Sequence, residues 1–442
     1  MDTAETRIGD WPFRAASALT DRFPHSGARI LDTLVSAYAA NPLMLASTAA
    51  AARAALSRAH AFRRILVVAD LNIGDAVVLQ AALSALRDYL PAAELEYAIT
   101  VHARDLVDGN PDATAVHPIF TGTGTPGTRD ADAVRRLTGA RGYDLIFNFC
   151  PFFDAAALAP TGTPVVGYAA LAAMIVHAAR QPAEVAHVAA LTHRFIHRLF
   201  SPLLRPARER AFTGVSATLS AESADRAAAF VRRARGEAES LVLLNPDASN
   251  RFTRLPLEDL AELLRGLLRL PCTVLVGAGH TEPGLEERVI ASLRAPERAR
   301  VRVLPASVPL DVYAAVVDGA DVFLTGDTGP LHVAAARKES RSGGTAFRNR
   351  TAVISIFGAT PERVYGYASD RPGFLAANQG ARSATCSAPS PCRNLTCIHK
   401  TAKTCRTVRC FDALDLGAVL AEVERALSGG RRRLSAPAAP LP

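Results

Sequence analysis

Cysteine is nearly absent from most of this 442-residue sequence: there are seven, and five of them fall between Cys386 and Cys410. That distribution excludes a disulfide framework running through the chain and makes a reducing, cytoplasmic setting the expectation. The start, MDTAETRIGDW, has early acidic residues and no apolar h-region, so no secretory signal is expected. Neither uncharged stretch reads as a bilayer span. Residues 33–52 are Ala-rich and carry Asn41 and Pro42, and residues 155–179 are broken by Pro160, Gly162, Pro164 and Gly167. No short-period repeat is visible. With 49% hydrophobic and 21% charged residues, wholesale disorder and coiled-coil composition are excluded. The net charge of +8 would suit phosphates, nucleic acid or an anionic membrane surface without choosing among them. Two or three domains and a soluble globular enzyme are the expectation from the length.

The apolar run Ile65-Leu66-Val67-Val68-Ala69 is short and β-branched, and Asn72-Ile73-Gly74-Asp75 follows it. A helix-period segment then spans Val77 to Leu90 and is stopped by Pro91. Strand-like stretches recur at 95–101, 144–148 and 164–167, alternating with helical or loop segments, which predicts a parallel α/β sheet. Residues 203–239, rich in Arg, Ala and Glu, read as helices closing the first half. A second series begins at Leu241: helix 257–270, strand 273–276, helix 284–293, strand 301–304, helix 310–318, strand 321–324, helix 331–336 and strand 352–357. The predicted organisation is an Ala-rich helical extension (1–64), two αβ domains (65–236 and 237–427) and a solvated tail (428–442) containing Arg431-Arg432-Arg433.

In open α/β sheets ligands bind beyond the carboxyl ends of the strands, so chemistry is sought in the loops that follow them. In Thr325-Gly326-Asp327-Thr328-Gly329-Pro330-Leu331-His332 the glycines permit a sharp turn and Pro330 suits a first helical turn. Backbone N–H groups at such a helix start can hold a diphosphate, with a Thr328 hydroxyl and His332 close by; a plain capped helix is the competing reading. Asp75 at a helix start is either a cap or a general base for an attacking hydroxyl. The loop from Asp247 to Arg254 offers Arg251 and Arg254 to a departing phosphate oxygen, or simply presents them to solvent.

Gly122-Thr123-Gly124-Thr125-Pro126-Gly127 satisfies G-x-G-x-x-G but fails in context. The run before it contains Pro118, Pro126 interrupts the helix that should start there, and no acidic residue ends a second strand about 20 residues later. Cys386, Cys392, Cys397, Cys405 and Cys410 lack the C-x2-C spacing of zinc ribbons. They read as structural thiols in a basic loop, with a structural zinc or a redox site as the alternative. Between Asp370 and Asp412 there is no acidic residue, so this segment would attract an anionic partner. It has neither interleaved aromatics nor a reading helix, so no nucleic-acid partner is expected.

Taken together, these segments resemble glycosyltransferase family 9, the ADP-heptose:lipopolysaccharide heptosyltransferases, over roughly residues 65–427. The resemblance is carried, in order and spacing, by Ile65 to Asp75, by Asn245-Pro246-Asp247-Ala248-Ser249, by Gly326-Asp327-Thr328-Gly329-Pro330-Leu331-His332 running on to Ala336, and by Ile356-Phe357-Gly358-Ala359-Thr360-Pro361-Glu362-Arg363. It implies a GT-B architecture, with an acceptor domain first, a nucleotide-sugar domain second and an inverting, metal-independent reaction between them that needs no cofactor. Asp75 then matches the catalytic base, with Asn72 and Gly74 in the acceptor-side loop. Asp327, Thr328, Gly329 and His332 match the donor diphosphate loop, joined by Ser249, Arg251 and Arg254, with Gly277 and Gly279 beside the nucleotide. The family's frequent Lys before Trp-Pro is replaced here by Thr253-Arg254-Leu255-Pro256, and residues 337–350 form an insertion. The expected donor is a nucleotide sugar, ADP-heptose first. The expected acceptor is a glycolipid or oligosaccharide of the lipopolysaccharide-core kind, met at the inner face of the cytoplasmic membrane with peripheral contact to anionic lipid. A different GT-B transferase, a nucleotide-sugar epimerase and a degenerate binding protein remain as rivals.

Overall fold

The computed structural model describes Leu56 and residues 61–434 except 70–71, 122–128, 151–162, most of 168–184, 209–211, 239, 250, 339–350, 369–382 and 389–408. The first lobe is a five-stranded parallel sheet of β1 (Arg64–Val68), β2 (Glu94–Thr100), β3 (Ala115–Phe120), β4 (Leu145–Asn148) and β5 (Val165–Val166), in the order β3-β2-β1-β4-β5. The central β1 is an unbroken apolar run because both its faces are covered, as a parallel sheet requires. Pro118 is tolerated because β3 is an edge strand, where a missing N–H leaves no ladder bond unmade.

The second sheet is also wholly parallel. It comprises β6 (Leu241–Asn245), β7 (Thr273–Gly277), β8 (Val301–Leu304), β9 (Val322–Gly326), β10 (Ala352–Phe357) and β11 (Ser383–Ser387), ordered β11-β10-β9-β6-β7-β8. Both lobes therefore have the doubly wound order, whose direction reverses between β1 and β4 in one and between β6 and β9 in the other. Those switch points place the loops after β1, β6 and β9 where ligands bind.

The observed helices differ from expectation in three informative places. The segment expected to begin at Val77 starts earlier and divides at Leu79 into Ile73–Val78 and Gln80–Tyr89, so Asp75 lies in the first helical turn instead of the loop before it. Within 203–239 only Ala221–Arg235 is helical among the described residues, since Pro202 and Pro206 interrupt what precedes it. That helix packs on the second lobe's Leu310–Gly319 and ends at Gly236, whose φ of +56° calls for glycine. The last helix, Leu416–Leu434, continues through residues assigned to the tail. Most of the N-terminal extension, residues 33–52, most of 155–179 and the rejected Gly122–Gly127 motif lie outside the described residues. No helix among the described residues is long and apolar enough to cross a membrane.

A continuous apolar core joins the lobes beside the Gly329–Ala336 helix: Ala314, Val333, Ala336 and Val364 of the second lobe belong to the cluster built on Ile65, Val67 and Leu83 of the first. The connecting segment is tied to both sides. Thr218 N–H donates to Leu106 O (2.9 Å), and Arg337 Nη1 donates to Ala217 O (2.6 Å) while Nη2 pairs with Asp318 (2.8 Å). Burying the Arg337 guanidinium is sustainable because its charge is matched there.

Candidate active site

Asp75 occupies the third position of the helix that follows β1 and is half-buried. Asn72, the residue before that helix, makes no capping bond from its side chain; its Nδ2 instead donates to Asp75 Oδ2 (3.1 Å) and steers the carboxylate. Behind Asp75, the buried Tyr97 hydroxyl donates to Ala76 O (2.8 Å). Burial, helped by the Asp75 charge, raises the Tyr97 phenol well above its usual pKa, so it stays a fixed neutral donor.

The loop after β9 meets this turn directly. A Cβ placed on Gly329 would lie 3.0 Å from Ile73 Cβ and 3.3 Å from the Gly74 nitrogen, and one on Gly74 would lie 2.6 Å from His332 Cδ2. Glycine at both positions lets two backbones approach closely enough to bring the Asp75 turn to the Gly329 helix start. Thus Asn72, Gly74 and Asp75 from one lobe and Gly329 and His332 from the other form one constellation.

Thr328 is the residue before the Gly329–Ala336 helix, which starts two residues ahead of its expected first residue, with Pro330 in its first turn. Its hydroxyl does not cap that helix. It is buried against Thr325 Oγ1 (3.0 Å) and accepts from Asn245 Nδ2 (3.4 Å). Asp327 accepts from the Thr360 hydroxyl (2.6 Å), and its Oδ1 is 4.0 Å from His332 Nε2. His332 is buried with Nδ1 3.1 Å from the Tyr367 hydroxyl. Burial and the Asp327 charge hold Tyr367 far above the usual phenol pKa. The Tyr367 ring packs 4.6 Å from His187, whose imidazole burial pushes well below its usual pKa and so keeps neutral. Gly326, Asp327, Gly329 and Pro330 retain partial exposure. The loop therefore presents mainly backbone outward, while its side chains are engaged within the protein.

The loop after β6 borders a small cavity lined by Asn245, Asp247, Thr253, Arg254, Thr325 and Gly326 at the β6/β9 switch point. Asp247 shapes this loop by accepting from Ala248 N (2.9 Å) and Thr281 N (2.7 Å). Arg254 pairs with Asp247 (3.5 Å) and with Glu282. Arg251 is exposed and lies over the Phe252 ring, 5.0 Å from its centroid, and Ser249 is exposed. Gly277 ends β7 against Tyr313. The Gly279 N–H donates to Glu286 (3.0 Å), and a Cβ there would meet Glu282 O at 2.4 Å. Gly277 and Gly279 thus sit on the far side of Asp247 from the Gly329 helix, within the same lobe. Of the cysteines, Cys386 is partly exposed in β11 and Cys410 is buried, and Cys392, Cys397 and Cys405 lie outside the described residues.

Thr360, Tyr367, Asn245 and His187 were not singled out from sequence as parts of this site. Thr360 and Asn245 stand inside the segments 356–363 and 245–249 that carry the family resemblance, and that adjacency is the available signal. Nothing local marks His187 or Tyr367, which reach the site through tertiary packing.

The sequence profile of glycosyltransferase family 9 (heptosyltransferase) matches residues 132–401, more than half of the chain. No curated protein matches. Among solved structures, the chain is similar to E. coli ADP-heptose lps heptosyltransferase II at 14% identity and a TM-score of 0.52, covering 83% of this chain and 99% of that one. It is also similar to the glycosyl transferase family 9 structure from Veillonella parvula DSM 2008, at 15% identity and a TM-score of 0.57, covering 83% of this chain and 98% of that one. These identities speak for a shared GT-B-like fold. The profile match begins after Asp75, so the place of that residue rests on the geometry above.

Proposed function

The chain belongs to glycosyltransferase family 9 (heptosyltransferase), and from that premise we propose that it is an inverting, metal-independent transferase moving heptose from ADP-heptose onto a lipopolysaccharide-core or related glycan. The observation that carries this reading is the contact between the Asp75 turn and the Gly329 helix start. A base and a diphosphate-holding helix end must lie within one sugar's length of each other for a single displacement at the anomeric carbon.

In this reading the acceptor hydroxyl loses its proton to Asp75 as its oxygen bonds to the anomeric carbon, and the C–O bond to the diphosphate breaks with inversion. The leaving diphosphate is held by backbone N–H groups and the positive end of the Gly329–Ala336 helix, which supply the charge compensation that a magnesium ion would otherwise provide. Arg251, exposed in the loop after β6, is one guanidinium that would meet the leaving diphosphate. Arg254 would have to exchange Glu282 for phosphate. His332 acts from behind, as the buried surface against which Gly74 seats. The adenine and heptose assignments are supported by the name of the E. coli relative, an ADP-heptose lps heptosyltransferase. A glycolipid acceptor suits action at the inner membrane face, and the net charge of +8 is compatible with anionic lipid there.

The test is a panel of ADP-, UDP- and GDP-sugars read by thermal shift, followed by transfer to deacylated core oligosaccharide in the presence of chelator. Stabilisation by ADP-sugars and transfer without metal are expected. Preference for another nucleotide overturns the donor assignment, and sugar-nucleotide turnover without acceptor points instead to an epimerase. Binding without turnover, unaffected by Asp75→Ala, identifies a binding protein.

A further inference from the structure

His193 and His197 stand four residues apart on the helix Val188–Phe200, which places both imidazoles on one face. That face packs against the helix Gln80–Tyr89, whose last turn carries Asp88 and Tyr89. His197 Nε2 is 3.7 Å and His193 Nε2 4.0 Å from the same Asp88 oxygen, Oδ2, and the two rings are 4.5 Å apart between centroids. One ligating atom from each of the three residues lies within 4.8 Å of the others.

These separations are too long for hydrogen bonds. They are close to what three donors show around one ion: two atoms each about 2.1 Å from a tetrahedral cation are about 3.4 Å apart, so closure needs side-chain shifts of about 0.5–1 Å. His197 Nε2 is buried and has no hydrogen-bond partner among the described residues. Its other nitrogen, Nδ1, is 3.0 Å from the Tyr89 hydroxyl. That is the outer contact by which a metal-bound imidazole is usually oriented, with Nδ1–H donating outward and Nε2 left for the ion. Asp88 has no solvent exposure, so its carboxylate is held inside the contact between the two helices, facing both imidazoles.

We propose that Asp88, His193 and His197 bind a first-row divalent transition cation, zinc on the chemistry of the donor set, and thereby clamp the two helices together. Two imidazoles and a carboxylate leave a fourth position for water. Asp88 lies thirteen residues beyond Asp75 along the two consecutive helical runs, about 20 Å at helical rise, and at their opposite end from the cleft. The ion is therefore structural and takes no part in sugar transfer. It fixes the far end of the helix Gln80–Tyr89, which follows directly on the short helix that holds Asp75, to the helix that His187 opens against Tyr367.

The experiment uses the full chain without an affinity tag. Cobalt(II) titration is expected to show one equivalent with visible d–d bands and no near-ultraviolet thiolate charge-transfer bands, which separates this site from the cysteines. Zinc at about a hundredfold excess over Kd should raise Tm by about 5 °C. His193→Gln with His197→Gln should lose both the equivalent and the shift. Tyr89→Phe, which leaves all three ligands in place, should weaken affinity about tenfold or more. A folded double variant with unchanged stoichiometry overturns the proposal, and so does a cobalt spectrum made only of thiolate bands. Should the double variant not fold, unchanged affinity in Tyr89→Phe overturns it equally.

Discussion

Gly74→Ala probes the contact on which the active-site reading depends. The added methyl would sit 2.6 Å from His332 Cδ2, about 1 Å inside ordinary van der Waals contact. His332 has little room to yield, because it is buried, its Nδ1 is 3.1 Å from Tyr367, and Tyr367 is itself fully buried against His187. Overpacking of this kind costs about 1–3 kcal/mol, and the better helix propensity of alanine returns up to about 1 kcal/mol. The net loss is about 1–2 kcal/mol, or roughly 2–8 °C in Tm. If the strain is relieved by moving the turn, Asp75 shifts by about 1 Å and turnover falls about a hundredfold. Differential scanning calorimetry and initial-rate transfer assays read the two effects. Gly139→Ala is the control, since a Cβ there has no atom of the described residues within 4 Å and the position is helical; it should stabilise by about 0.5–1 kcal/mol. In a His332→Ala background the same Gly74→Ala change should cost nothing, giving a coupling of about 1–2 kcal/mol. Wild-type melting and turnover in Gly74→Ala, or additivity in the cycle, would refute the contact.

Asp75→Asn keeps the Asn72 contact geometry but removes the proposed base, so transfer should fall by about 10²–10⁴ while nucleotide-sugar thermal shifts persist. Thr360→Val strips Asp327 of its 2.6 Å hydrogen bond; donor affinity should drop severalfold with the fold intact, measured by calorimetric titration. Glu96 is buried and accepts from Tyr143 (2.6 Å) and Arg141 (2.8 Å), with His117 at 2.6 Å. Burial pushes its pKa up, but those three partners outweigh it and hold the carboxyl below the ordinary Glu value. A lowered folded pKa makes its contribution full above the unfolded value and lost as pH falls through the folded one. Glu96→Gln should therefore cost about 3 kcal/mol at neutral pH and flatten the acid limb of the Tm profile below about pH 4.5.

The strands and the loops after them were readable because a strand buried on both faces must be a nearly continuous apolar run, and Ile65 to Ala69, Leu241 to Leu244 and Ala352 to Phe357 are such runs. Helix starts were less readable. Val77 and Leu331 begin the visible apolar periodicity, but the helices start at Ile73 and Gly329, because glycine and aspartate in a first turn carry no periodic signal. Helices expected across 203–239 failed where Pro202 and Pro206 outweighed Ala- and Arg-rich composition.

Local residue order alone determined that this chain builds two parallel, doubly wound sheets and where their loops fall, the Asp75 turn and the Gly326–His332 loop among them. Periodicity and turn residues act over a few positions, and so they are written locally. Only the tertiary structure decided that Gly74 seats on His332, that Thr328 and His332 turn their side chains inward and leave backbone facing out, and that Asp88 meets His193 and His197. The Gly74–His332 and Asp88–His193–His197 contacts join residues more than one hundred positions apart, and no short-range pattern encodes which buried polar atoms will satisfy one another once two separate cores close together.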